Sequence, residues 1–196
     1  MDSLIIATSN AGKLLELNAL LDPIKCVTQA SLGIEPVEET QSTFIENALL
    51  KARHASAIAK QPALADDSGL VVPALQGAPG IFSARYAGPG ASDADNIKYL
   101  LKQLNPIPPS QWQAYFYCAI VLIEHASDPT PIIASGRIDG IIINTPQGEH
   151  GFGYDPIFYV PEYQSTMAQL PAEVKNQMSH RAIALRQLQP QLQDHV

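Results

Sequence analysis

Cysteine is nearly absent: only Cys26 and Cys118 occur in 196 residues, and their spacing matches no metal-ligand motif. This argues against a disulfide scaffold and a cysteine-bound zinc site, and it fits a reduced, cytoplasmic chain. Long apolar runs are also missing, so no membrane span is expected. The start Met1-Asp2-Ser3-Leu4 lacks the basic and then apolar pattern of a signal peptide. Positive charge is scarce too, with 12 Lys and Arg against 19 Asp and Glu and a formal net charge of −7. Polynucleotides demand a basic surface, so nucleic acid is not an expected partner, and without an apolar span neither is a membrane. A small polyanion remains compatible if a few lysines are concentrated locally, or if helix N-termini and a metal ion supply positive charge. No internal repeat, low-complexity tract or shift in composition divides the chain.

What is present is a hydrophobic content of 46%, enough for a substantial core in one domain covering 1–196. The most unusual stretch is Ala63-Leu64-Ala65-Asp66-Asp67-Ser68-Gly69-Leu70-Val71-Val72, in which two adjacent carboxylates stand between apolar runs. Carboxylates beside a core must be paired, hydrogen-bonded or bound to a cation. The alternative is a strand that ends in an Asp-Ser-Gly turn with its carboxylates in water. In extended chain, neighbouring side chains leave opposite faces, so Asp66 and Asp67 are expected to do different jobs.

Leu4-Ile5-Ile6-Ala7 reads as a short buried strand, and Leu14 to Leu21 as a helix with Leu14, Leu17, Leu20 and Leu21 on its apolar face. Between them lies Thr8-Ser9-Asn10-Ala11-Gly12-Lys13. A strand, a small polar loop and a helix aim free N–H groups and a positive dipole end at an anion. The loop also reads as an ordinary turn capped by Ser9 or Asn10, and it is not a Walker A motif. Three acids, Glu35, Glu38 and Glu39, precede a second helix signalled by the capping-box pattern Thr43-Phe44-Ile45-Glu46. Ile45, Ala48, Leu49, Ala52, Ser56 and Ala59 would form its core face. Asn47, Lys51 and His54 form a polar stripe opposite, with His54 expected in solvent.

Ser92-Asp93-Ala94-Asp95 is expected to cap a helix running to about Leu104, and Gln113 to Glu124 has the composition of a central strand covered on both faces. Ile132-Ile133-Ala134 and Ile141-Ile142-Ile143 read as two further strands, and Ile157 to Val160 as another apolar run. Gly77 to Gly88 is expected to be an ordered loop. The segment Thr145 to Pro156 is a long glycine-rich loop in which Phe152 is flanked by Gly151 and Gly153. Such a ring offers a stacking face to a flat ligand, or alternatively packs the turn together with Tyr154. Ser179 is expected to cap a helix from His180-Arg181 to about Leu188.

Seven segments occur here in an order that resembles the inosine/xanthosine triphosphate pyrophosphatases, the Ham1-like family. They are Ala7 to Lys13; Glu38-Glu39-Thr40; Thr43 to Ala48 with Lys51-Ala52; Ala65 to Leu70; Gly77 to Gly80 with Ser83 to Tyr86; Gly151 to Pro156; and Ser179-His180-Arg181. The resemblance implies an α/β fold, an elongated two-lobed single domain around a long mixed sheet with flanking helices and a central nucleotide cleft. It also implies a homodimer. The implied reaction is Mg²⁺-dependent hydrolysis of ITP, dITP and XTP to the monophosphate and pyrophosphate, which keeps these nucleotides out of DNA and RNA. In this likeness Thr8, Ser9, Asn10, Ala11, Gly12 and Lys13 cradle the phosphates. Glu39 and Asp67 hold the metal, Asp67 accepts the proton of the attacking water, and Ser68 contacts substrate. Phe152, Gly153, Tyr154, Asp155, Lys175, His180 and Arg181 form the nucleoside pocket. Two positions depart from the family pattern: His150 stands where a glycine is common, and Ala182-Ile183 stands where a small and a basic residue are common.

Overall fold

The computed structural model describes residues 3–22 and 24–192. In chain order its strands and α-helices are β1 (Leu4–Ile6), α1 (Ala11–Leu21), β2 (Cys26–Thr28), α2 (Phe44–Ala59), β3 (Ala63–Val71), α3 (Asp93–Leu104), β4 (Gln113–Ile123), β5 (Ile132–Ile142), β6 (Phe158–Val160), β7 (Ser165–Thr166), α4 (Ala172–Met178) and α5 (His180–Leu192). The strands form one sheet in the order β2-β1-β3-β4-β5-β6-β7. β1 is parallel to β2 and to β3, whereas β6 is antiparallel to β5 and to β7, so the sheet is mixed and the fold is α/β. β4 lies at its middle, as its composition predicts. Among the described residues no helix is long and apolar enough to cross a membrane.

The chain divides into two compact units. The first comprises the residues up to Asp67, Cys118–Gly136, and those from His180 on. Strand alternation splits its core into two layers, one on each face of the sheet. On one face Leu4, Ile6, Leu64, Cys118, Ile120 and Leu122 pack with Leu17 and Leu21 of α1 and with Ala184, Leu185 and Leu188 of α5. On the other face Ile5, Ala7, Ala63, Ala65, Val121 and Ile123 pack with Ala48, Ala52 and Ala55 of α2. The fully buried apolar residues of α2 in this layer are all alanine, which lets that helix approach the strands closely.

The second unit, Ser68–Tyr117 and Arg137–Ser179, has its own core. Leu70, Leu100, Leu104, Trp112, Phe116, Ile157 and Phe158 are at its centre. The Phe116 and Phe158 ring centroids are 4.4 Å apart, a separation suited to aromatic packing. Tyr154 is buried here and its hydroxyl donates to the Ser83 carbonyl at 2.9 Å. Tyr154→Phe strands that carbonyl and is expected to cost about 1 kcal/mol. Thermal denaturation checks this, and an unchanged Tm would mean that the bond contributes nothing.

Three expectations change. The apolar run at 132–134 and Ile141 and Ile142 of the run at 141–143 belong to one strand, β5, and the glycines between them do not end it. At Gly136 a Cβ would lie 2.0 Å from the His180 carbonyl oxygen, and at Gly140 it would lie 2.5 Å from the Phe158 ring. These glycines therefore permit close packing inside a strand. The buried face of α2 is also turned from the one expected: Asn47 and Ala55 are buried and Ile45 is exposed. Finally, the Thr43 hydroxyl accepts from the Glu46 N–H as a cap should, but it donates to the Glu46 carboxylate at 2.8 Å.

Candidate active site

Alternation along β3 determines where its two carboxylates go. Asp66 follows the face of Leu64, toward α1 and α5, and Asp67 follows the face of Ala65, toward α2. Asp66 is fully buried and lies 3.1 Å from the ammonium of Lys13, in the first turn of α1. Asp67 lies 3.0 Å from the ammonium of Lys51 and accepts from the Asn47 amide at 3.4 Å, both on α2. The same Lys51 ammonium is 2.8 Å from Glu39. Asp66 and Asp67 are thus both compensated, by different helices. Asn47 and Lys51, on the polar stripe of α2, supply the partners of Asp67. His54, expected in solvent, is half-buried, with Nε2 2.8 Å from the Glu35 carbonyl.

Burial is the largest influence on Asp66 and favours its protonated form. Lys13, Lys51 and Arg181 outweigh it, and the carboxyl is held below its ordinary range. For Asp67 burial is again the largest influence and here it prevails: Lys51 and Lys13 pull the pKa down, Glu39 repels, and the result is raised. Adjacent residues on one strand therefore become a fixed anion and a more readily protonated base. On Lys51 burial opposes the charge, but Asp67, Asp66 and Glu39 outweigh it and raise its pKa.

These shifts carry a pH prediction. A carboxyl depressed in the fold stabilises it above its unfolded pKa, and that contribution is lost as pH falls through the folded pKa. Asp66 thus favours folding at neutral pH and stops doing so in acid, whereas the raised Asp67 opposes folding at neutral pH. Asp66→Asn is expected to be less stable at neutral pH and to show a flatter loss below about pH 4. Urea midpoints across pH read the difference. Equal acid slopes in the two proteins would rule Asp66 out as a source of acid sensitivity.

Around Lys13 the loop is already organised. Asn10 caps α1 by accepting from the Lys13 N–H at 2.9 Å, while the Thr8 hydroxyl accepts from the Asn10 N–H at 3.2 Å. Ala11, Gly12 and Lys13 belong to the helix, not to a loop before it. Helix geometry leaves first-turn N–H groups without intrahelical acceptors. Ser9, Asn10 and Ala11 are exposed, and Gly12 and Lys13 are half-buried. Ser68, next along β3, is half-buried.

His180 and Arg181 open α5 in the first unit, and both are buried. The Arg181 guanidinium donates to His180 Nε2 at 3.1 Å and to the Glu16 carboxylate. Burial disfavours its charge, but Glu16 and Asp66 more than restore it. Glu16 is absent from the sequence-based candidates. It lies three residues after Lys13, on the same face of α1, and that spacing was the available signal.

The other candidates gather in the second unit. Lys175, buried on α4, meets the Asp155 carboxylate at 2.5 Å. Phe152 is half-buried, its N–H donating to Asp155 at 3.4 Å, and the flanking Gly151 and Gly153 have φ of +87° and +62°. A Cβ on Gly151 would lie 2.0 Å from the Asp155 carboxylate and 2.4 Å from the Lys175 ammonium, so this pair needs glycine there. His150 is exposed, and its N–H donates to the Ala168 carbonyl. The 145–156 loop is thereby tied down without a glycine at 150.

Glu39 and Asp67 both direct a carboxylate oxygen at one cation, the Lys51 ammonium. Two hard oxygen donors suit Mg²⁺, which takes its remaining ligands from water and substrate phosphates. Among the described residues no group of three or more His, Cys, Asp or Glu is placed to hold a metal.

The Ham1 family profile matches residues 4–191. The chain is 60% identical over 194 residues to the dITP/XTP pyrophosphatase of Legionella pneumophila (strain Paris), covering 99% of this chain and 100% of that protein. It is 50% identical over 190 residues to the dITP/XTP pyrophosphatase of Escherichia coli O157:H7, covering 96% of each. Its fold is similar to that of a HAM1 protein from Coxiella burnetii, with a TM-score of 0.92 at 46% identity over 99% of this chain and 100% of that one. Matched along nearly its whole length in both sequence and fold, the chain belongs to the Ham1 family.

Proposed function

We propose that this protein hydrolyses purine nucleoside triphosphates carrying a 6-oxo base, such as ITP, dITP and XTP, to the nucleoside monophosphate and pyrophosphate. The observation that carries this reading is the convergence of Glu39 and Asp67 on a single cation, with Lys13 and the start of α1 tied to the neighbouring Asp66. Water attacks the α-phosphorus and the bond to the bridging oxygen breaks, so pyrophosphate departs. Asp67 takes the proton from that water; its raised pKa and position beside Lys51 suit the task. Lys13 and the first-turn N–H groups of α1 donate to the phosphates, where the leaving group accumulates charge. Ser9, Asn10 and Ser68 add polar contacts to substrate. Mg²⁺ held by Glu39 and Asp67 would screen the triphosphate and favour deprotonation of the water.

Base choice follows from hydrogen-bond polarity. A 6-oxo group accepts, whereas a 6-amino group mainly donates, and Lys175, His180 and Arg181 are proposed to present donors to the base. Phe152 is proposed to stack on it, with Gly153, Tyr154 and Asp155 shaping the loop. An adenine amino group would leave buried donors unpaired, a penalty of roughly 10⁴-fold or more at a site built around hydrogen bonds.

The proposed working form is a cytoplasmic homodimer of one catalytic domain. The free thiols of Cys26 and Cys118 support the compartment, and the single family match over residues 4–191 supports one domain. Light scattering on the eluting protein tests the dimer. The decisive experiment is product analysis with ITP and Mg²⁺, run beside ATP and GTP. Inosine monophosphate and pyrophosphate are expected, with ATP nearly untouched for want of a 6-oxo acceptor; GTP has that acceptor, so its rejection requires a penalty on the 2-amino group. Release of inorganic phosphate would move the attack to the γ-phosphorus, and binding without turnover would make the protein a sensor.

A further inference from the structure

The peptide units on either side of Phe152 are held by two carboxylates from different parts of the chain. Asp155 accepts from the Phe152 N–H at 3.4 Å and is itself fastened by Lys175. Asp93, sixty residues earlier in the first turn of α3, accepts from the Gly153 N–H at 2.6 Å. The capping of α3 does not need Asp93. Ser92 is the N-cap, its side chain accepting from the Asp95 N–H while Asp95 returns a bond to the Ser92 backbone. Asp93 is thus spare for the helix and committed to the loop. Gly151 and Gly153 both sit at positive φ, so the backbone flanking Phe152 is permissive. A permissive loop presents its ring in one orientation only if its peptide groups are held from outside.

We propose that Asp93 is a positioning residue for base recognition, holding the Gly153 peptide so that Phe152 is presented to the purine in a fixed pose. The proposal rests on the reading above that Phe152 stacks on the base, and it adds a residue that touches no substrate. Its effect falls on binding, because a preorganised ring spares the ligand the cost of ordering the loop. The chemistry at Asp67 is left unchanged.

The test measures KM and kcat for ITP in wild type, Asp93→Ala, Asp93→Asn, Phe152→Ala and the double variant Asp93→Ala/Phe152→Ala. Loss of a hydrogen bond to a charged acceptor should raise KM roughly tenfold in Asp93→Ala while kcat stays within about twofold. Asp93→Asn keeps an acceptor oxygen and should restore most of the affinity, which separates the hydrogen bond from the loss of a negative charge near a polyanion. In the Phe152→Ala background, Asp93→Ala should add little, since a positioning residue has nothing left to position. Unchanged KM in Asp93→Ala, equal losses in Asp93→Ala and Asp93→Asn, or additive losses in the double variant would each overturn the proposal. Failure of the wild-type protein to release pyrophosphate from ITP would instead overturn the functional reading itself.

Discussion

Asp67→Asn is expected to retain the fold and nucleotide binding while kcat for ITP drops by roughly 10² to 10⁴, the usual contribution of a positioned general base. The substitution is nearly isosteric, and Lys51 keeps its partner Glu39 at 2.8 Å. The amide oxygen can still face Lys51 but cannot take a proton from water. Pyrophosphate release measures turnover, and titration calorimetry with ITP measures binding. Full activity in Asp67→Asn would remove Asp67 from its assigned role. A second signature follows from the direction of its pKa. Burial raises it above the ordinary carboxylate range, and a base works only when deprotonated. Wild-type kcat/KM should therefore fall as pH drops through that raised value, and this acid limb should vanish from the residual activity of Asp67→Asn.

The largest stability effect is expected at Gly136→Ala. A Cβ there would lie 2.0 Å from the His180 carbonyl oxygen and 2.6 Å from the Ala184 N–H nitrogen. Both are backbone atoms of α5, which cannot rotate away as a side-chain tip would, so the helix itself must move off β5. Overpacking of this kind costs up to about 3 kcal/mol or more, or a fall in Tm of roughly 6–12 °C for a chain of this size. The shift also displaces His180 and Arg181 at the start of α5, so KM for ITP should rise along with the loss in Tm. Unchanged Tm and KM together would mean that the contact of β5 with α5 tolerates a methyl group, contrary to this geometry. Gly140→Ala is a useful comparison, because there the clash is with the Phe158 ring, a side chain.

Much of the site was legible as local pattern. The Asp66-Asp67 pair stands out because apolar runs flank it, and period-two alternation already sends the two carboxylates to opposite faces. A cap of α1 at Ser9 or Asn10, which the structure places at Asn10, and the capping of α3 within Ser92 to Asp95 follow from side chains that bond their own backbone a few residues away, a short-range event. The short strands β2 and β7 carry too few residues to show a period and were not anticipated. Nor was α4, whose seven residues give barely two turns. The two apolar runs of β5 read along the chain as separate strands, and only the groups packed over Gly136 and Gly140 show why one strand continues through them.

The sequence alone carries the periods of its main strands and helices, an acidic pair between apolar runs and a strand-to-helix turn bearing Lys13; the α/β class is what the order of motifs implies through its resemblance to one family. The first three are properties of neighbours in the chain, set by backbone periodicity and local capping. Only the tertiary structure decided the partners. Lys51 joins Glu39 to Asp67, Glu16 is committed to Arg181, and Asp93 reaches Gly153 across sixty residues. The physical reason is common to all three: an ion pair or hydrogen bond depends on distance in space, and the chain states only distance along itself. The same holds for the contrast between Asp66 and Asp67. Identical side chains on one strand acquire opposite pKa shifts: burial raises both and Lys13 and Lys51 lower both, but Arg181 adds to that pull on Asp66 whereas Glu39 repels Asp67.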